Sequence, residues 1–375
     1  MIIMKMKRFL ALCCITLFCL TQAELVMAKQ PLRILTWEGY VTDQELREVN
    51  LILEQRGYDY QAVLVEPYAE GAEQMFSLIR TNKVDVTFLT LFFIRMESEQ
   101  TAKFLQPINI KSERLSNYAD LLPGLTHLSM GLNAAGDPLY IPWGGGIYGF
   151  YVDRDTVAAE DVPRSVKELW LPAWANKFSL NKSQEWYNIG LSLMSLNQSP
   201  FYIYHLAQMQ SRRVMRAAID IKGELQQQLN RLYANAGEFW DGSPEFKPGL
   251  SIVSSWGPEI TRENNRGKNW QLIQFKEGHM AWLDTINFVK ALEGRKLQAA
   301  EIFANYFISK KVQSRIAKQL SMVAAHSNVE ASKTLGNPRD LFRAHMFVPP
   351  YDKVTYNAMK KMADQARKGR EKSRK

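Results

Sequence analysis

The sequence predicts an α/β protein of two lobes, each built on a mostly parallel sheet flanked by helices. Three observations carry this reading. From Leu32 onward, apolar runs of strand length alternate with stretches of helical periodicity. One run, Val84 to Phe93, is apolar almost throughout, as a strand buried on both faces must be. The chain has 375 residues, more than one ordinary domain and enough for two.

The N-terminus reads as an export signal. Lys5, Lys7 and Arg8 precede an apolar run from Phe9 to Leu20, and Val26-Met27-Ala28 ends in a small residue suited to cleavage. The run is shorter than the roughly 20 residues a membrane span needs. All three cysteines, Cys13, Cys14 and Cys19, fall inside this leader, so the mature chain is expected to have neither disulfides nor cysteine metal sites. A periplasmic location is expected.

The formal net charge of +9 is concentrated at the ends. The leader carries +2 and residues 360–375 carry +6, which leaves the body near +1. No basic groove is implied, so nucleic acid is not an expected partner. The terminal residues read as a solvated, frayed end.

Leu32 to Leu35 reads as a buried strand. It runs into the loop Thr36-Trp37-Glu38-Gly39-Tyr40-Val41, and Thr42 with Glu45 has the spacing of a capping box that opens a helix to Arg56. Trp37, Glu38 and Tyr40 then stand at the carboxyl end of a strand, where open α/β sheets bind ligands. Tyr60 to Val65 reads as a strand and Gly71 to Arg80 as a helix. Gly144, Gly146 and Gly149 satisfy GxGxxG in form. A dinucleotide site requires a helix next, but Ile147 to Val152 is β-like. These glycines suit close backbone passage in a strand that crosses between lobes. Ser165 and Glu168 form a second capping box, leading through Trp170.

Phe178 to Leu180 reads as a strand, 187–196 and 201–235 as helical, and 236–249 as loop. Leu250 to Val253 and Trp270 to Phe275 read as strands. Lys276-Glu277-Gly278 reads as a turn before a strand from His279 to Val289, and helices fill Lys296 to Leu320.

The five histidines are scattered without metal-ligand spacing, and no GxSxG elbow is present. A carboxylate pair such as Glu185 and Asp284 is the one arrangement that could serve a glycosidase. What recurs is an aromatic beside an acid: Trp37-Glu38, Glu185-Trp186, Trp240-Asp241 and Trp282-x-Asp284, with Trp256 after its own strand. Aromatic faces attract cations by about 0.5–2 kcal/mol, and carboxylates form charge-assisted hydrogen bonds to ammonium groups. If these pairs converged on one cleft, they would suit an elongated organic cation.

At these residues the chain resembles the periplasmic spermidine/putrescine-binding family of ABC importers. The likeness rests on Thr36 to Val41, on Ile141-Pro142-Trp143-Gly144, on Ser165 to Pro172, on Trp256-Gly257, and on Glu277-Gly278-His279-Met280-Ala281-Trp282-Leu283-Asp284. It implies a two-lobed type II periplasmic-binding fold with the ligand between the lobes, no cofactor and no catalysis. The expected division is a leader over 1–28, a first lobe from 29–146 and 285–328, a second from 147–284 and 329–359, and a basic tail over 360–375.

By that resemblance Trp37, Tyr40, Trp256 and Trp282 match cleft aromatics, and Asp284 and Glu185 match carboxylates that hold amines. Thr90 falls where the family has a serine, and Asp241 lies close to a polar ligand contact. Glu38 and Phe92 complete the expected ligand-binding set. The chain departs from the pattern at Lys182, which stands where an acid is expected, at Phe92 in place of a tyrosine, and at Met322 near another tyrosine position. Lys182 is expected to narrow the ligand range by repelling an amine, unless it faces solvent or pairs with Glu185. The implied function is capture of a polyamine or similar organic cation by a monomer that delivers it to a membrane permease. Signalling to a membrane cyclic-dinucleotide enzyme is the alternative, and a carbohydrate-active enzyme the third reading.

Overall fold

The computed structural model describes residues 29–96, 100–209, 212–331, 335 and 341–373. The leader and its cysteines lie outside the described residues.

The first strand, β1, is Gln30–Leu35, and α1, Asp43–Gln55, opens on the expected capping box of Thr42 and Glu45. β2 is Tyr60–Leu64 and α2 is Ala72–Arg80. The long apolar run becomes β3, Val86–Thr90, buried at every residue. β4, Ile141–Ile147, and β5, Gly149–Asp153, are separated only by Tyr148. Then come β6, Ser179–Asn181, α3, Glu185–Ser195, α4, Glu224–Asn235, β7, Glu238–Trp240, and β8, Ile252–Ser255. α5, Pro258–Asn265, β9, Trp270–Leu272, and β10, Ala281–Phe288, follow. The chain ends through α6, Gly294–Phe307, α7, Lys310–Gln319, β11, Val323–Ala324, and α8, Lys353–Ser373.

Two lobes result. One holds a six-stranded sheet in the order β11-β4-β10-β3-β1-β2; the other holds β8-β5-β9 and the pair β6-β7. β4 lies in the large sheet and β5 in the small one, so the glycine-rich stretch does carry the chain across, at Tyr148. The return runs between β9 and β10, within 273–280, ahead of the expected 284/285 boundary. After β11 the chain returns once more, and α8 packs on the second lobe, where Gln226 of α4 donates to Met362 O (3.0 Å).

Four expectations need correction. Parallel pairing in the large sheet is confined to β1 with β2 and β3. β10 is antiparallel to both β3 and β4, and the small sheet is antiparallel throughout. The reason is the crossing itself: β4 leaves the large lobe and β10 re-enters beside it in the opposite sense. The described residues of 201–235 fall into the helices Tyr202–Gln208, Arg212–Ala218 and α4. Residues 236–249 contain β7, which pairs parallel with β6. The basic end is a docked helix through Ser373. Met362, Ala363 and Ala366 are buried, and Arg370 lies over the Phe239 ring (4.8 Å) and donates to Gly237 O (2.9 Å). Its charges are exposed on one face only, while small and apolar residues at helical spacing bury the other.

Behind β3 and β4 an aromatic core forms. Trp143 packs on Phe88 (5.2 Å), which also meets Phe303 and Phe307 of α6. Burying each phenylalanine contributes about 1.5–3 kcal/mol. Trp143 also underlies the Tyr40 ring (centroids 4.2 Å apart), so this core supports the first loop of the chain.

Candidate functional site

A cavity of about 350 Å³ opens between the lobes. Eight of the ten expected residues line it: Trp37, Glu38, Tyr40, Thr90, Phe92, Trp256, Trp282 and Asp284. Met322 lines it too. A second cavity of about 530 Å³ shares Trp37, Phe93 and Gln184 with the first and extends it past Trp186, Tyr356 and the acids Glu70 and Glu73. A larger hollow of about 790 Å³ lies elsewhere, between α5, β9 and α7. Its walls are largely neutral, with Asn and Gln side chains beside the single aromatic Trp270 and the opposite charges of Lys318 and Glu330.

Asp284 is the centre of the site. It sits mid-strand on β10, opposite Thr90 of β3 in the ladder, and is 3 % exposed. The Tyr40 hydroxyl donates to its Oδ2, while its Oδ1 has no partner. Burial pushes the Asp284 carboxyl up to about 6, against the opposing pull of the Tyr40 hydrogen bond and of Thr90 beside it. Tyr40 is itself held well above its usual range by burial and by the carboxylate beside it.

The Trp37–Tyr40 loop is fixed from outside. Arg315 of α7 donates to Tyr40 O (2.7 Å) and to Glu45 Oε1 (2.6 Å), tying the loop to the capping box that follows it. Gly39 supplies the turn with φ +80°, where a side chain would be strained. Trp282 lies against Gly146 of the crossing strand. A Cβ there would stand 2.7 Å from the indole, so the glycine makes room for the cleft aromatic. Two motifs also meet: Glu277 accepts from the Ser165 hydroxyl and from Val166 N (3.1 Å). That contact holds the turn leading into β10.

On the opposite wall, Trp256 packs on Tyr187 (5.0 Å) and on Tyr148 (5.1 Å). Tyr187 lines the cavity and was missed from the sequence, because it lies in the first turn of a helix of apolar appearance. Glu259 was also missed. It sits in the first turn of α5, accepts from Ser255 Oγ (2.9 Å) and lines the same cavity. No Lys or Arg is among the residues that line this cavity, whereas Asp284, Glu259 and the exposed Glu38 are.

The structure does not bring Glu185 and Asp241 to the cavity, contrary to expectation. Glu185 is buried in the first turn of α3, where Arg367 of α8 approaches it to 3.8 Å and also donates to Lys182 O (2.9 Å). Burial raises its carboxyl. Asp241 is half exposed, accepts from Ser183 and pairs with Lys182 at 3.4 Å. Lys182 therefore faces Asp241 rather than Glu185 or the cleft. Trp240 turns inward, donating to Ser254 Oγ (2.9 Å). Trp240 ends β7 and Asp241 lies just past it in the exposed bend, so the two part company, whereas Trp282 and Asp284, two apart on β10, share a face.

Among the described residues no group of three His, Cys, Asp or Glu is placed to hold a metal, and no helix is long and apolar enough to cross a membrane. The arrangement is a buried acid under aromatic walls.

The fold is shared with solved binding proteins. The spermidine/putrescine ABC transporter substrate-binding protein PotD of Streptococcus pneumoniae is similar over 91% of this chain and 99% of that one, at TM-score 0.68 and 16% identity. The TpPotD lipoprotein of Treponema pallidum matches over 90% of this chain and 99% of that one, at 0.64 and 13%. Iron-bound HitA of Pseudomonas aeruginosa matches over 91% and 99%, at 0.55 and 12%. One of these proteins is named for spermidine and putrescine and another is bound to iron, so the architecture alone does not select a ligand. No curated protein matches the chain. The family model for bacterial extracellular solute-binding proteins matches residues 89–341, from the floor of the cleft through the first two crossings. With two lobes closing on a pocket and a family match over most of its length, the chain belongs to the bacterial extracellular solute-binding proteins.

Proposed function

We propose that this protein captures a small organic cation of polyamine type and delivers it to the membrane permease of an ABC importer. One observation carries the reading: a buried carboxylate, Asp284, has an unpartnered oxygen in a cavity lined by tryptophans and by no basic side chain. A buried acid is costly unless something neutralises it, and an ammonium group against aromatic faces does so with charge-assisted hydrogen bonds and cation–π attraction. Trp37, Tyr40, Trp256 and Trp282 would wall the ligand, with Glu38, Thr90 and Phe92 at its edges. The adjoining cavity, where Glu70 and Glu73 stand with Lys353, gives room for an elongated chain. Residues 1–28 would direct export to the periplasm, where the protein would act as a monomer without a cofactor.

A thermal-shift screen of polyamines, amino acids and sugars tests this. Ligand at 100 times its Kd stabilises by about 2.7 kcal/mol. Stabilisation by amines and not by neutral sugars is the expected result. Stabilisation by a sugar or an anionic amino acid alone would replace the reading.

A further inference from the structure

We infer that Thr261 and Ser321 latch one lobe to the other and set the affinity for whatever the cleft holds, without touching it. The inference stands apart from the cation reading of the cleft, because the latch is made of the chain's own hydroxyls.

Thr261 is on α5, which follows β8 of the small sheet, and Ser321 lies in the turn from α7 to β11, the edge of the large sheet. Their hydroxyls hydrogen-bond to each other, so a side-chain contact joins the two lobes there. The backbones also come close beside it. A Cβ on Gly257, whose φ is +118°, would stand 3.1 Å from Ser321 O and 3.2 Å from Ser321 Cβ. Any larger residue at that position would hold the lobes apart.

Ser321 is 1 % exposed and has φ +49°. The other described non-glycine residues with positive φ are Asn82, Asn176 and Asn197, and asparagine enters that region far more readily than serine. Backbone held in a sparsely populated region persists where its surroundings fix it, and it gathers at clamps and switches. Here Leu320 N and Met322 N both donate to Ile316 O (3.0 and 3.3 Å), which ends α7 in the turn that brings the Ser321 hydroxyl to Thr261.

The seam also has a defined place. Leu320 and Met322 on one side of it, and Pro258 on the other, line the cleft cavity. Thr261 and Ser321 line the separate hollow between α5, β9 and α7 and do not line the cleft cavity. The latch therefore stands just behind the cleft wall, where the lobes must part if the cleft is to open. It favours closed lobes by the same amount for every ligand. Apparent affinity is the intrinsic affinity scaled by the fraction of protein that is competent to bind. Loss of the latch should then weaken all ligands by one common factor. A residue that touched ligand would discriminate among them, and a pair that served only stability would lower the melting temperature and leave Kd unchanged.

Isothermal titration of the full chain with putrescine, cadaverine and spermidine tests this, with melting curves to check folding. If no amine binds wild-type protein, the cation reading falls, and the three tightest sugars or amino acids of the screen take their place as probes. Thr261→Val removes one hydroxyl at nearly constant shape and should raise Kd for all three probes by the same factor, about three- to tenfold, the scale of one net hydrogen bond. Ser321→Gly removes the other hydroxyl, accepts the positive φ, and should do the same; it serves alone if Thr261→Val does not fold. The double variant should lose no more than about twofold beyond either single one, since both remove the same contact. Thr261→Ser keeps the hydroxyl and should bind like wild type. Unchanged Kd in the folded variants, losses that differ among the probes by more than about threefold, or losses that add in full overturn the inference.

Discussion

Replacing Asp284 by asparagine should weaken ligand binding and strengthen the empty fold at the same time. The carboxyl titrates near 6 in the folded protein against an ordinary 3.8, chiefly because burial disfavours its charge. At neutral pH that difference costs the folded state about 3 kcal/mol. The sign follows from proton binding. Between about pH 4 and 6 the folded state holds a proton that the unfolded chain has lost, so stability falls as pH rises through that window. Asparagine keeps an acceptor for the Tyr40 hydroxyl and removes the charge. Asp284→Asn should therefore melt higher than wild type at pH 7, with the gap closing toward pH 4. Binding moves the other way: losing one partner of a desolvated charge pair costs about 2–5 kcal/mol, at least about thirtyfold in Kd. For wild type, amine affinity should itself drop about tenfold from pH 7 to pH 5, as the carboxyl takes its proton. Calorimetry with the best amine from the screen, beside melting curves of the ligand-free proteins, measures both arms. Unchanged affinity in the folded variant, or a lower melting temperature at pH 7, would refute the argument.

Other perturbations separate cleft from scaffold. Gly146→Ala puts a methyl 2.7 Å from the Trp282 ring; amine affinity should fall and tryptophan emission should shift, whereas unaltered emission with full affinity would show that the indole does not depend on the glycine. Lys182→Asp should change amine affinity by less than about twofold at any salt concentration, since Lys182 is an exposed partner of Asp241 outside the cavity; a steep, salt-dependent gain would return Lys182 to the site. His279 is buried and its imidazole is pushed down to about 4 by desolvation. It therefore contributes stability that is lost as pH falls from about 6.5 through about 4. His279→Leu should flatten the melting temperature over that range, and an equally steep acid loss in the variant would assign the effect to other groups.

The sequence by itself determined the alternation of strands and helices, both capping boxes, the buried central strand and the crossing at the glycines. Each of these depends on local periodicity, on turn chemistry or on backbone room, and each is written in neighbouring residues. It also grouped Trp282 with Asp284, because residues two apart on one strand share a face, and both line the cavity. Only the tertiary structure decided which of the other acids reach the cleft. Glu185 and Trp186 are consecutive on a helix and diverge by about 100°, and the Arg367 that approaches Glu185 comes from a helix nearly two hundred positions away. Glu259 carried no local signal, since an acid in the first turn of a helix is ordinary. The terminal helix was unreadable for the same reason: its charges outnumber its apolar residues, and the surface that buries Met362 and Ala366 is made by α4, more than a hundred residues earlier. Charge in a cleft is a property of which side chains meet across space, and sequence distance does not encode that.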